Sequence, residues 1–80
     1  MTGETRERVA KIAKQKLEDA RVSLRKERED AWNAIQTAEK NGEINEDEKF
    51  RHKDEMQKMI DEANKKLDEI EKRKEEEILN

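Results

Sequence analysis

The sequence has no cysteine, no proline and no tyrosine, and only one phenylalanine, one tryptophan, one histidine and two glycines among 80 residues. The absence of cysteine excludes a disulfide framework and a thiolate nucleophile, and it fits a reducing compartment. Two glycines leave no material for a glycine-rich phosphate loop. No apolar run is long enough to cross a membrane or to form the core of a signal peptide. Hydrophobic residues make up 30% of the chain, so a length of 80 residues allows one domain at most, with a marginal core.

Catalytic constellations are absent as well. His52 stands among Arg51, Lys53 and Asp54, a pattern that suits an exposed side chain better than a base or a metal ligand. Ser23 has no histidine near it in the helical pattern. The run Glu75-Glu76-Glu77 lacks the turn and the interleaved ligands of a calcium loop. These residues predict a binding element with no enzymatic activity, no cofactor and no metal.

What the sequence does have is charge. Asp, Glu, Lys and Arg form 51% of it, with a net charge of −3. The distribution is uneven: residues 6–28 hold nine bases and four acids, a net of +5, whereas residues 41–80 hold nine bases and fourteen acids, a net of −5. The overall sign argues against indiscriminate nucleic-acid binding. The asymmetry points to a basic contact surface on one element and an acidic, solvating one on the other.

Apolar residues recur at steps of three and four through Val9/Ala10, Ala13, Leu17, Ala20, Leu24, Ala31, Ile35 and Ala38, interrupted only at Glu27. This is a helical stripe of coiled-coil type. Thr2 can cap its start, and Asn41-Gly42 marks its end. Asn45-Glu46-Asp47-Glu48 resembles a capping box that opens a second helix. That helix has the stripe Met56, Ile60, Ala63, Leu67, Ile70 and Ile78, with Phe50 near its beginning. The expected fold is therefore all-α: one unit over residues 1–80, with helices at about 3–40 and 46–79 and a turn at about 41–45. So short a turn makes the helices antiparallel. Leu17, Leu24, Ile35, Ile60, Leu67 and Ile70 are the expected core or self-association residues. Val9, Ile12, Val22 and Trp32 flank the first stripe, so a two-helix unit should leave apolar surface bare. Pairing of two hairpins into a four-helix bundle would cover it.

The run Ala20-Arg21-Val22-Ser23-Leu24-Arg25-Lys26-Glu27-Arg28-Glu29-Asp30-Ala31 places Arg21, Arg25 and Arg28 on one helical face, away from the apolar stripe. Lys14 lies two turns earlier on that face. Guanidinium forks match phosphate geometry, and a row of them can track a nucleic-acid backbone. The spacing alone fits a solvated face of a charged helix better than a nucleic-acid contact.

The same run resembles the pattern A-R-V-x-x-R-x-x-R-x-D-A of the ribosome recycling factors. Thr2-Gly3-Glu4-Thr5-Arg6 is similar to the start of that family's second long helix, and Glu43-Ile44-Asn45-Glu46-Asp47-Glu48 to its E-I-S-E-D-E turn. Met56-Gln57-Lys58-Met59-Ile60-Asp61, Lys65-Lys66-Leu67-Asp68 and Lys74-Glu75-Glu76-Glu77-Ile78-Leu79 resemble successive parts of its last helix. The resemblance covers essentially the whole chain without a gap. It implies the two C-terminal helices of a three-helix bundle, without the family's N-terminal helix and its inserted β-rich domain. It also implies a cytoplasmic role in translation termination and protein biosynthesis. The family, acting with elongation factor G, dismantles the post-termination ribosome, and its helical domain lies along large-subunit ribosomal RNA. RNA-contacting arginines of the family carry over to Arg25 and Arg28, with Arg6 and Arg21 as further matches. Glu27 stands at a usually apolar position, Trp32 at a usually polar one, and Glu29 at one often basic. The competing expectation is a self-associating helical module with no ribosome-binding role.

Overall fold

The computed structural model describes residues 2–79, with side chains described for residues 2–77. Two helices account for nearly all of it: α1, Gly3–Lys40, and α2, Glu46–Leu79. Each begins where a side chain can satisfy free backbone amides. At α1 the Thr2 hydroxyl accepts from the Thr5 amide at 3.3 Å. At α2 the Glu48 amide donates to Asn45 Oδ1 at 2.8 Å, and the Asn45 amide donates to Glu48 Oε1 at 3.4 Å. This reciprocal pair is a capping box, with asparagine in the place of serine. Acidic residues Glu46, Asp47 and Glu48 occupy the first turn of α2, where the helix dipole favours negative charge.

The end of α1 is set by Gly42, whose φ of 78° lies in the left-handed region. Its amide donates to the Glu39 carbonyl at 3.0 Å, and the Glu43 amide donates to the Ala38 carbonyl at 2.9 Å. These two bonds make a Schellman motif, which satisfies the last carbonyls of the helix and turns the chain back.

The antiparallel seam is formed by the half-buried residues Ala10, Ala13, Ala20, Leu24, Ala31, Ile35 and Ala38 of α1, facing Met56, Ile60, Ala63 and Leu67 of α2. Among the described residues only Leu17, at 8% relative exposure, is buried. The molecule measures 60 × 16 × 8 Å over its Cα atoms, with a radius of gyration of 18.2 Å. A globular chain of this length would have a radius near 12 Å. The core is thus a line rather than a volume. Ile70 departs from the expected seam: it is 40% exposed and lies at the rim of a groove. Ala13 and Leu17 are its neighbours on α1 in that groove, and the small alanine leaves it uncovered. Glu27 does not interrupt the seam from within. It is exposed and lines an open groove with Ala31, Met59 and Ile60. The side chain of Ile78 lies outside the described residues.

Leu17→Ala should destabilise the chain by about 2–3 kcal/mol, the lower part of the range for emptying a packed leucine site, because solvent is close on both sides. Val22→Ala, at a position 51% exposed, should cost under about 0.5 kcal/mol. Urea melts followed by circular dichroism would measure both.

Candidate functional site

The seam divides the surface of the hairpin into two long sides. One side is apolar. At the end far from the turn, Val9, Ile12, Leu17 and Ile70 line a groove of about 400 Å³. Nearer the turn, Ala31, Ile35, Met59 and Ile60 line another of about 330 Å³, to which Arg28 and Glu55 also contribute. Met59, at 70% exposure, is the most exposed of the large apolar side chains among the described residues. His52 also lines this second groove, 3.7 Å from Glu55.

The other side is polar and carries the arginines, which have separate environments. Arg21 bridges the helices. Its Nη2 lies 2.7 Å from Asp68 Oδ1 and its Nη1 lies 2.8 Å from Glu71 Oε2. The hydrogen bond to Glu71, followed by that to Asp68, raises the Arg21 pKa above its ordinary value. A guanidinium presents two donors in a fixed fork, so one arginine can hold two carboxylates one turn apart. With its side chain 26% exposed, Arg21 is a support of the helix pair, which the stripe pattern alone did not reveal.

Arg25 remains largely in solvent, at 67% side-chain exposure, with a 3.3 Å contact to Glu18 two turns earlier. Arg28 is exposed and has no ion-pair partner among the described residues. Arg6 is exposed in the first turn of α1, where its amide donates to the Thr2 carbonyl at 3.0 Å. It lies five turns from Arg25, too far to share a contact with it. Lys11 and Lys14 line a shallow groove with Glu18, Arg21 and Glu71, which extends the basic surface along α1.

One cluster escaped the sequence reasoning. The Lys49 ammonium sits 5.6 Å from the Trp32 ring centre and 5.9 Å from that of Phe50. The Lys53 ammonium is 5.3 Å from the Trp32 ring centre. Glu39 lies 3.3 Å from Lys49. The signal available in the sequence was register: residues equally far from the turn face one another, which puts Trp32 opposite Lys53.

The described residues include no group of His, Cys, Asp or Glu side chains that could hold a metal ion, and no helix long and apolar enough to cross a membrane. The arrangement is that of a charged helical hairpin with apolar grooves. Comparison with known proteins then gives its family. The sequence profile described as "Ribosome recycling factor" matches residues 1–79, and the chain belongs to the ribosome recycling factor family. It is 42% identical over 79 residues to the ribosome-recycling factor of Rhizorhabdus wittichii, covering 99% of this chain and 43% of that protein. It is 44% identical over 79 residues to that of Geobacillus kaustophilus, with 99% of the chain and 43% of the relative covered. For the ribosome-recycling factor of Carboxydothermus hydrogenoformans the identity is 45% over 80 residues, covering 100% of the chain and 43% of the relative. The chain thus spans less than half the length of these relatives. No solved structure gives a significant match. The family is one of non-enzymatic translation factors.

Arg21→Lys should lower the melting temperature, because an ammonium cannot hold Asp68 and Glu71 in one fork. The deficit should shrink in 1 M salt, where the carboxylates are screened. Thermal melts at low and high salt, with Arg25→Lys as the unaffected control, would check this.

Proposed function

We propose that this hairpin is the RNA-facing helical part of a ribosome recycling factor and that its polar side meets large-subunit ribosomal RNA. The observation that carries this reading is the state of Arg25 and Arg28. Both lie on the matched family pattern, and both are exposed on a chain rich in acids able to neutralise them. Arg28 has no carboxylate partner among the described residues, and Arg25 has one weak, solvated contact. Their guanidiniums are available to phosphate oxygens. Arg21 serves the same surface indirectly, by fixing α1 against α2 behind it. Arg6 contributes a separate contact further along the helix.

On this reading the hairpin binds in the cytoplasm as the family's helical domain does, and the intact family works with elongation factor G. Residues 1–80 alone bind without splitting the ribosome, because splitting is assigned to both domains of the family acting together with the translocase.

The apolar side supports an associated proposal. Val9, Ile12, Met59 and Ile70 lie exposed on the side away from Arg21. A third helix seated there would complete a three-helix bundle. In a solution of the hairpin alone, a second copy takes that place in a four-helix bundle related by a two-fold axis. Such pairing leaves Arg21 and Arg25 open, while Arg28 borders the covered groove. The purely structural alternative, a self-associating module with no ribosomal role, has no separate observation in its favour.

Arg25→Ala and Arg28→Ala should each weaken binding to large ribosomal subunits and reduce the slope of log affinity against log salt by roughly one. Lys72→Ala, near the far end of α2, should change little. Fluorescence titration at several salt concentrations would measure this, and equal losses for all three variants would reduce the interaction to nonspecific attraction. Sedimentation equilibrium at micromolar concentration should give a dimer or larger assembly, which Glu27→Leu strengthens by extending the apolar side.

A further inference from the structure

We propose that the notch beside Trp32 is a stacking site for one unpaired base of a single-stranded RNA segment. The notch encloses about 220 Å³ and is lined by Arg28, Glu29, Trp32, Lys53 and Met56. Its size is below that of pockets for drug-sized ligands, and it suits a single flat heterocycle. The indole of Trp32 and the thioether of Met56 are its two soft, polarizable walls. Aromatic rings stack on any base without reading its sequence, and flanking cations follow the backbone.

The charges around the notch select for an anionic strand. Lys49, the other ammonium beside the indole, is neutralised by Glu39 at 3.3 Å. Lys53 and Arg28 have no carboxylate in ion-pair range among the described residues. The structure therefore places two cations without an ion pair, and one acid, Glu29, at the rim of an aromatic notch. The Lys53 ammonium lies over the indole, 5.3 Å from the ring centre, so an entering base displaces it outward to the phosphate that accompanies the base. Glu29, the one acid in the lining, disfavours a phosphate inside and can accept from an exocyclic amine. The base thus enters the notch and its phosphates stay with Arg28 and Lys53.

Position supports the same partner. Trp32 follows Arg25 by seven residues, two turns along the same helical face and about 10 Å away. A strand held at Arg25 passes over the notch within one or two nucleotides. The inference rests on the RNA-facing reading and refines it: the contact is an unpaired base next to the phosphates, rather than duplex backbone alone.

Trp32 is the one tryptophan of the chain, so its fluorescence reports on the notch directly. The chain would be titrated with an unstructured single-stranded octaribonucleotide, an eight-base-pair RNA duplex and inorganic polyphosphate. The expected result is quenching by the single strand, with at least about fivefold tighter binding than to the duplex, and little quenching by polyphosphate. Trp32→Leu, checked for helicity by circular dichroism, should abolish the single-strand preference. The preference, measured by the anisotropy of a labelled strand, should survive in Trp32→Phe at a reduced level. Lys53→Gln should weaken binding and lower the salt slope by roughly one. Equal quenching by polyphosphate, or an undiminished preference in a folded Trp32→Leu chain, would overturn the proposal. Large-subunit binding separates the two readings. If subunits bind but the octanucleotide does not quench, the stacking site falls and the RNA-facing reading stands. If quenching occurs without subunit binding, the reverse holds.

Discussion

The constraint on which this molecule depends is that two helices can bury only one seam. Each helix has a narrow apolar stripe, and antiparallel contact closes the two stripes along a line. The consequence is visible at Leu17, the one buried residue of the described core. Such a line supplies little hydrophobic stabilisation for two helices of 38 and 34 residues. The other ordering features are local or reinforce the seam: the Thr2 cap, the Asn45–Glu48 box, the Gly42 reversal and the two ion pairs of Arg21. The last are the clearest case, since a single guanidinium holds Asp68 and Glu71 across the helix pair.

The seam also separates side chains of different character. On the apolar side, Val9, Ile12, Met59 and Ile70 have nothing to cover them within the hairpin. On the polar side, basic groups of α1 face acids of α2, and the partnered and unpartnered cations can be told apart. Arg21 and Lys49 are held by carboxylates, whereas Arg28 and Lys53 are not. Most Lys and Arg side chains of the described residues have no ion-pair partner, so what the pairs mark is Arg21 and Lys49 as supports of the helix pair. Glu39, Asp68 and Glu71 are among the acids held in ion pairs with these cations.

The helix limits were legible because their signals are local. Thr2, Gly42 and Asn45 act on backbone atoms within a few residues, so type and spacing suffice. The apolar stripe was legible for the same reason, apart from Ile70, whose exposure depends on how small its neighbours across the seam are. The environments of the arginines were not legible. Arg21, Arg25 and Arg28 look equivalent on a helical wheel, and only the register of α2 shows that acids stand opposite the first of them. The Trp32 cluster was hidden similarly, because its lysines come from the other helix. Family resemblance was carried by the ordered set of motifs, and the match over residues 1–79 rests on the same stretch.

The central claim is that the polar side of the seam, and not the apolar side, faces ribosomal RNA. The absence of native cysteine makes this directly measurable. A hydroxyl-radical-generating iron chelate would be attached through Val22→Cys, beside the arginines, or through Met59→Cys, on the apolar side, and each protein bound to large ribosomal subunits. The account predicts localised cleavage of the large-subunit RNA from position 22 and far weaker cleavage from position 59. Equal cleavage from both positions, or stronger cleavage from position 59, would contradict it.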